Sequence, residues 1–145
     1  MKNEIKQKDK SEEIIKRNSI LQVTDSDFDE LVLKSSYPVM VECTADWCGP
    51  CHIFQPVINQ IAKVYKNQLN VVQLNKDENN LIVNEYGIHR LPTFLFFYRG
   101  ILLHHISGSV PKSKLIGLIE EILTNFSNKI KKTNNFHNKI IRKEN

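Results

Sequence analysis

Two short stretches of this chain are apolar along almost their whole length, VMVEC at 39–43 and TFLFFY at 93–98. A strand with one face in water alternates apolar and polar residues, whereas a strand covered on both faces reads as a continuous apolar run. These stretches therefore predict interior strands of a sheet that has other elements packed on both faces. Glu42 is the one carboxylate inside them, and we expect its side chain to be buried.

Helical patterns alternate with these strands and with two further candidate strands. The predicted elements are a helix at 25–34, strands at 39–43 and 69–75, a helix from Pro50 to about Lys66, a helix at 78–87 ended by Gly87, strands at 93–98 and 101–107, and a last helix from about Pro111 to Asn125. A chain of 145 residues is the size of one domain. The order predicts an α/β fold with a central mixed β-sheet flanked by helices on both faces, parallel at first and ending in an antiparallel hairpin.

The net charge of +4 is concentrated in the two ends of the chain. Residues 1–18 form a charged N-terminal extension, residues 19–126 form the predicted domain, and residues 127–145 form a basic tail rich in Asn and Lys. Such a tail is able to contact nucleic acid or an anionic surface. Its low aromatic content favours the alternative, a solvated and partly disordered extension, so no nucleic-acid partner is expected.

The chain has no apolar run long enough to span a membrane, and its first residues lack the apolar region of a secretory signal. The acidic residues among the first 18 also argue against an organelle transit peptide. We therefore predict a monomer without a membrane partner, in the cytoplasm or, if the protein is encoded there, in an organelle stroma. A leader removed before this sequence begins is the alternative.

The sequence WCGPC at 47–51 places two cysteines two residues apart. A structural zinc site normally needs four Cys or His ligands, and only His52 lies beside Cys48 and Cys51 in sequence. A purely structural disulfide that closes so short a loop constrains little of the unfolded chain. Both readings are weaker than redox exchange, for which we expect no metal and no organic cofactor. Cys43, inside an apolar run, is expected to pack as a small hydrophobe.

Redox exchange also explains where the pair lies, between a strand and the start of a helix. The free N–H groups and dipole of a helix N-terminus stabilise a thiolate at Cys48, and only a thiolate attacks a disulfide. Cys51, one turn later, is close enough to resolve a mixed disulfide. Gly49 relieves crowding in the turn, and Pro50 suits the first helical turn because no N–H is lost there.

The chain resembles the thioredoxin family from about Ile20 to Leu123. The resemblance is carried by ADWCGPC (45–51), a proline at position 56 inside the next helix, VVQLNKDEN (71–79), YGIHRLPTFLFF (86–97) and the glycine at 108 that follows the hairpin. It implies a protein-disulfide reductase with Cys48 as the nucleophile, Cys51 as the resolving thiol, and a redox-active disulfide between them.

The resemblance also implies a substrate-binding surface and partners. Pro92 resembles the family's cis-proline, which faces the cysteines beside a backbone edge that pairs with an extended client segment. The substrate-binding residues implied are Trp47, Gly49, Pro50, Leu91, Pro92 and Gly108. The implied partners are disulfide-containing client proteins and a thioredoxin reductase as electron donor, linked to either NADPH or ferredoxin. A binding module with idle thiols and a disulfide isomerase or oxidant stay open as alternatives.

The chain departs from the family's pattern near the cysteines. Glu42 stands where an aspartate is usual, Gln73 replaces a lysine that commonly accompanies it, His52 occupies an often basic position, and Thr44 an often aromatic one. Burial without a cation should raise the pKa of Glu42. We therefore expect Glu42 to be a catalytic residue that takes the proton from Cys51.

Overall fold

The computed structural model describes residues 20–144, and for residues 133 and 136–144 it describes the backbone only. In chain order the elements are β1 (Leu21–Val23), a π-helical segment (Asp29–Leu33), β2 (Val39–Thr44), α1 (Gly49–Val64), β3 (Asn70–Asn75), a 3-10 turn (Lys76–Glu78), α2 (Asn80–Tyr86), β4 (Thr93–Tyr98), β5 (Ile101–Ser107) and α3 (Lys112–Glu144). Contacts divide the described residues into two units with a boundary between Ser109 and Val110, and all five strands belong to the first unit. The predicted N-terminal extension, 1–18, lies outside the described residues.

The five strands form one sheet in the order β1-β3-β2-β4-β5. β3 runs parallel to both β1 and β2, while β4 is antiparallel to β2 and to β5. This confirms the mixed sheet with a parallel beginning and a final hairpin. All but the last residue of β2 and of β4 are buried, as their unbroken apolar runs predict.

Aromatic contacts show what covers each face of the sheet. On one face the ring of Phe97 in β4 packs edge-on against Phe28 and against Tyr86 of α2, with centroids 5.6 and 5.3 Å apart. On the opposite face Phe94 packs against Phe54 of α1 at 5.8 Å. Because neighbouring strand residues point to opposite faces, helical elements cover both. The α/β fold class is confirmed.

The first predicted helix, at 25–34, is shorter than expected. Turns occupy 25–27 and the regular part is the π-helical segment Asp29–Leu33. Asp25 does not cap this segment. Its carboxylate instead accepts the backbone N–H groups of Leu81 and Ile82 at 3.1 and 3.0 Å, at the start of α2. An aspartate can accept the free N–H groups of a distant helix instead of those of the helix that follows it in sequence, and a sequence pattern does not distinguish the two cases.

The apolar residues of α1 predict a buried stripe at Ile53, Val57, Ile58, Ile61 and Val64, and this prediction is wrong at both ends. Ile53 and Val64 are 83% and 62% exposed, whereas Ile58 and Ile61 are buried as expected. Phe54 is half-buried and lies four residues before Ile58, so the buried face follows the spacing from Phe54 rather than from Ile53.

The last helix is longer than predicted. Its spacing predicts Leu115, Ile116, Ile119 and Ile122 as the inward face. Ile116 is half-buried and the other three are buried, but α3 runs to Glu144 instead of ending near Asn125. The expected partly disordered tail is therefore helical in its backbone. No proline or glycine follows Gly117, so nothing in the sequence stops the helix. Within residues 20–144, no helix has the length and apolar character needed to cross a membrane.

Candidate active site

Cys48 occupies the N-cap of α1, with an extended backbone at φ −81° and ψ 100°. Its sulfur accepts a hydrogen bond from the backbone N–H of Cys51 at 3.2 Å and is joined to the Cys51 sulfur in a disulfide. Gly49 begins the helix and Pro50 follows in its first turn, where a missing N–H leaves no hydrogen bond unmade. The local sequence thus places the Cys48 sulfur at the start of a helix, where the backbone N–H of Cys51 donates to it.

Both sulfurs are sheltered although the loop around them is open. Cys48 and Cys51 are each 3% exposed, while Trp47 is 67% exposed. Gly49 and Pro50 are exposed as well. The Trp47 indole N–H donates to the Asp77 carboxylate at 2.8 Å, which ties the ring to the 3-10 turn after β3. Sequence reasoning missed Asp77, because it lies 30 residues away.

A cis peptide bond joins Leu91 to Pro92, as the resemblance predicted. Leu91 packs against the small cluster formed by Ala45, Cys48 and Cys51. The Pro92 carbonyl accepts the backbone N–H of Gly108 at 2.7 Å. The structure therefore brings Leu91 to the cysteines and joins Gly108 to the next residue, Pro92, through a backbone hydrogen bond.

Glu42 is fully buried in β2, as predicted. Its Oε1 accepts a hydrogen bond from Gln73 Nε2 at 2.6 Å, and Oε2 is buried without a hydrogen-bond partner. Burial raises the pKa of Glu42 to about 7, and the Gln73 hydrogen bond offsets only part of that rise. A carboxyl with such a pKa is able to take up and release a proton near neutral pH.

A polar cavity of about 250 Å³ lies beside the second cysteine. Its lining residues are Gln22, Thr44, Ala45, Asp46, Cys51, His52, Gln55, Gln73 and Asn75. Gln73 therefore lies between the carboxyl of Glu42, which it binds, and the cavity that Cys51 lines. Sequence reasoning missed Gln22 and Gln55. The signal available was the single glutamine among the apolar residues of β3, because a buried amide side chain needs hydrogen-bond partners.

The remaining candidate ligands form no metal site in the described part of the chain, and the third cysteine is a free thiol. Within residues 20–144 no group of three or more His, Cys, Asp or Glu side chains is placed to hold a metal ion. The His52 ring contacts the Asp46 carbonyl oxygen through Nε2 at 2.7 Å. Cys43 is buried and free, and burial, followed by the charge of Glu42, raises the pKa of its thiol to about 12. A thiol with that pKa stays protonated and unreactive.

Comparison with known proteins shows the family to which a chain with these features belongs. The family model of thioredoxin matches residues 19–121. A thioredoxin of Pyropia yezoensis is 39% identical over 106 residues, which cover 73% of this chain and 99% of that protein. The chain belongs to the thioredoxin family. The M-type chloroplastic thioredoxin of Chlamydomonas reinhardtii is 44% identical over 101 residues, 70% of this chain and 72% of its own length. Thioredoxin 1 of Synechococcus elongatus is 42% identical over 101 residues, covering 70% and 94%.

Membership and the cysteine pair together define the activity. Thioredoxins exchange electrons through their own redox-active disulfide, and this chain carries that disulfide between Cys48 and Cys51 at the start of α1. The protein is a dithiol–disulfide oxidoreductase of the protein-disulfide-reductase type.

Proposed function

We propose that the protein reduces disulfides in client proteins, with Cys48 as the attacking thiol and Cys51 as the resolving thiol. The observation that carries this assignment is the N-cap position of Cys48, whose sulfur accepts the Cys51 N–H. That environment favours a negative charge on Cys48, whereas Cys51 lies further along, inside α1.

The reaction has two thiol–disulfide exchange steps. The Cys48 thiolate attacks one sulfur of a client disulfide, forming a mixed disulfide and releasing the other client sulfur as a thiolate. Cys51 then loses its proton and attacks the Cys48 sulfur, which restores the Cys48–Cys51 disulfide and releases the second client thiolate. Two electrons pass to the client, and its thiolates take up protons from solvent.

Glu42 is the proposed acceptor of the Cys51 proton. Its pKa of about 7 leaves the carboxyl partly ionised at neutral pH, so it can accept a proton when Cys51 attacks. Gln73 contacts the carboxyl and also lines the cavity next to Cys51. The cavity has the polar lining and the volume to hold water beside Cys51 and Gln73, the residue that contacts the carboxyl.

The proposed client surface surrounds the disulfide. Trp47, Gly49 and Pro50 are exposed beside Cys48. Leu91 is half-buried and precedes the buried cis-proline, and its backbone is the proposed edge where an extended client segment pairs. Leu91 supports this proposal because it packs directly on the cysteine cluster. Gly108 adds to the surface through its hydrogen bond to Pro92.

A reductase must return electrons to the disulfide after each cycle. We propose a thioredoxin reductase or a ferredoxin–thioredoxin reductase, the two kinds of donor with which the family generally works. The similarity to thioredoxins named as chloroplastic, in Chlamydomonas reinhardtii and Spinacia oleracea, supports an organelle stroma as an alternative to the cytoplasm.

Trapping of the mixed disulfide tests these roles. Cys51→Ser should accumulate client adducts on Cys48 that dithiothreitol releases, because no resolving thiol remains. Cys48→Ser should form no such adducts, and both variants should lower insulin reduction to the uncatalysed dithiothreitol rate. Cys43→Ser is the matched control and should retain activity. Adducts that map to Cys43, or that resist dithiothreitol, would contradict the assignment.

A further inference from the structure

Four amide side chains are hydrogen-bonded in series behind the active site. Gln22 Nε2 donates to Gln73 Oε1 at 2.9 Å, and Gln73 Nε2 donates to Gln55 Oε1 at 2.8 Å. Gln55 Nε2 in turn donates to Asn59 Oδ1 at 2.9 Å. We call these residues, Gln22, Gln73, Gln55 and Asn59, the amide chain. Its centre, Gln73, is also the residue that donates to Glu42.

The amide chain and the carboxylate together favour one orientation of the Gln73 amide, with its NH2 group on the carboxyl. A primary amide has two N–H donors and one carbonyl acceptor. Gln73 uses its donors on Glu42 and Gln55, and its carbonyl oxygen accepts from Gln22. Rotating the amide by half a turn would place its oxygen against the Glu42 carboxylate oxygen and lose three hydrogen bonds. A buried polar group left without a partner is costly, so this orientation is strongly preferred.

The amide chain also connects the carboxyl to the reacting helix. Gln22 lies on β1, Gln73 on β3, and Gln55 on α1, four residues after Cys51. Residues four apart lie on the same face of a helix, and both Cys51 and Gln55 line the polar cavity. Gln55 therefore holds Gln73 from the side on which Cys51 reacts.

We propose that Gln55 and Gln22 are positioning residues for proton exchange at Glu42, because they hold the Gln73 amide with its N–H on the carboxylate. This inference rests on the proposed role of Glu42 in the dithiol reaction. The amide carries no charge, so it stabilises the ionised carboxylate through one hydrogen bond and leaves the proton affinity near neutrality. Loss of either holding residue should allow Gln73 to turn away.

The other groups that face Glu42 are few in the described part of the chain. Its cross-strand neighbours are Phe94 on β4 and Gln73 on β3, and the adjacent Cys43 thiol is protonated. On α1 the titratable groups at the cavity are Cys51 and His52, and on the loop before α1 it is Asp46. Both His52 and Asp46 are exposed, so solvent screens their charges.

The test is a direct titration of the Glu42 carboxyl by carbon-13 NMR on the oxidised protein, with Glu42→Gln used to assign the signal. Gln55→Met and Gln22→Met remove a hydrogen-bond partner at nearly constant volume. Each should raise the Glu42 midpoint by about half a pH unit, and Gln73→Met by about one unit or more, because a hydrogen bond to the ionised form is weakened or lost. The pH profile of mixed-disulfide resolution should move in the same direction.

One further variant completes the design. Gln68→Met makes the same change at an exposed position outside the cavity and should leave the midpoint unchanged. Far-ultraviolet and near-ultraviolet circular dichroism would confirm that each variant is folded.

Midpoints in Gln55→Met and Gln22→Met that match wild type, while Gln73→Met is shifted, would overturn the positioning role. That result would leave insulin reduction and client trapping unaffected. Failure of the proposed function looks different, since it would appear as Cys51→Ser without adducts or as Glu42→Gln with unchanged resolution kinetics.

Discussion

Glu42 is an ionisable residue fully buried among the apolar side chains of the core. A carboxylate in the middle of a strand buried on both faces is expensive unless it is neutralised or hydrogen-bonded. Here one oxygen has the Gln73 amide and the other has no partner. The site therefore retains a group that costs stability when ionised, which is typical of residues kept for chemistry.

The cost should appear as a pH dependence of stability that Glu42→Gln removes. The pKa of Glu42 in the folded protein is about 7, above its ordinary value of 4.5. Below pH 4.5 the carboxyl is neutral in both folded and unfolded protein, so it has no effect. Between pH 4.5 and 7 the carboxyl ionises in the unfolded protein while it stays largely protonated in the folded protein, so the free energy of unfolding decreases. The decrease is on the order of 3 kcal/mol once the pH exceeds 7.

The difference in unfolding free energy between Glu42→Gln and wild type should therefore shift in favour of the variant by up to about 3 kcal/mol from pH 4.5 to pH 8. Urea denaturation of the oxidised proteins at both pH values measures this. Glu78→Gln, at an exposed position, is the matched control. A difference that stays constant with pH would show that Glu42 is not buried as an acid.

At the scale of elements, most boundaries follow from local signals and the exceptions have identifiable causes. Gly87 ends α2 in the left-handed conformation at φ 61°, as its position after the helix predicts. Gly108 ends β5 with φ 83° and donates its N–H to Pro92. The glycine after the hairpin is thus needed for its backbone conformation, and its hydrogen bond joins the end of β5 to the cis-proline segment.

Gly108→Ala and Gly117→Ala should have opposite effects on stability. At Gly108 a Cβ meets no atom within 4 Å, so the cost of alanine is the positive φ alone, roughly 1 kcal/mol. Gly117 lies inside α3 with open space around its Cβ position, and alanine there should stabilise by about 0.5–1 kcal/mol. Thermal denaturation of the two variants measures both signs. Equal effects would mean that the backbone at Gly108 relaxes without strain.

At the scale of the whole molecule, charge and catalysis are located in different segments. The site lies in the unit that ends at Ser109, and the basic residues of the tail lie on α3. Residues 127–132, 134 and 135 are exposed, so removing the tail deletes no buried side chain among those described. We therefore expect the tail to contribute little to the chemical step.

Deleting residues 127–145 should leave the rate of insulin reduction within about twofold of wild type, since exposed terminal segments tolerate truncation. Lys131→Gln with Lys132→Gln keeps the length of the helix and removes two charges, and it should behave in the same way. If truncation abolishes most activity while the double variant does not, the tail acts through its length rather than its charge. Loss of most activity in the truncated protein or in the double variant would contradict the expectation that the tail has little part in the chemical step.

The amino-acid sequence by itself determined the strands at 39–43 and 93–98, the helix that begins beside Cys48, and the burial of Glu42. Each of these depends on side chains that are neighbours within one turn or one strand, so a local pattern contains the information. The cis bond at Pro92 was predictable only through the resemblance to thioredoxins.

Tertiary structure alone decided which distant polar groups meet. Gln22 lies 51 residues from Gln73, Gln55 lies 18 residues from it, and Trp47 lies 30 residues from Asp77. Asp25 likewise caps α2 from 57 residues away. Such hydrogen bonds depend on how separate elements pack and on which rotamers that packing allows, and no spacing in the chain encodes either. The apolar pattern therefore specified the sheet, while the polar contacts around Glu42 existed only once β1, β3 and α1 had come together.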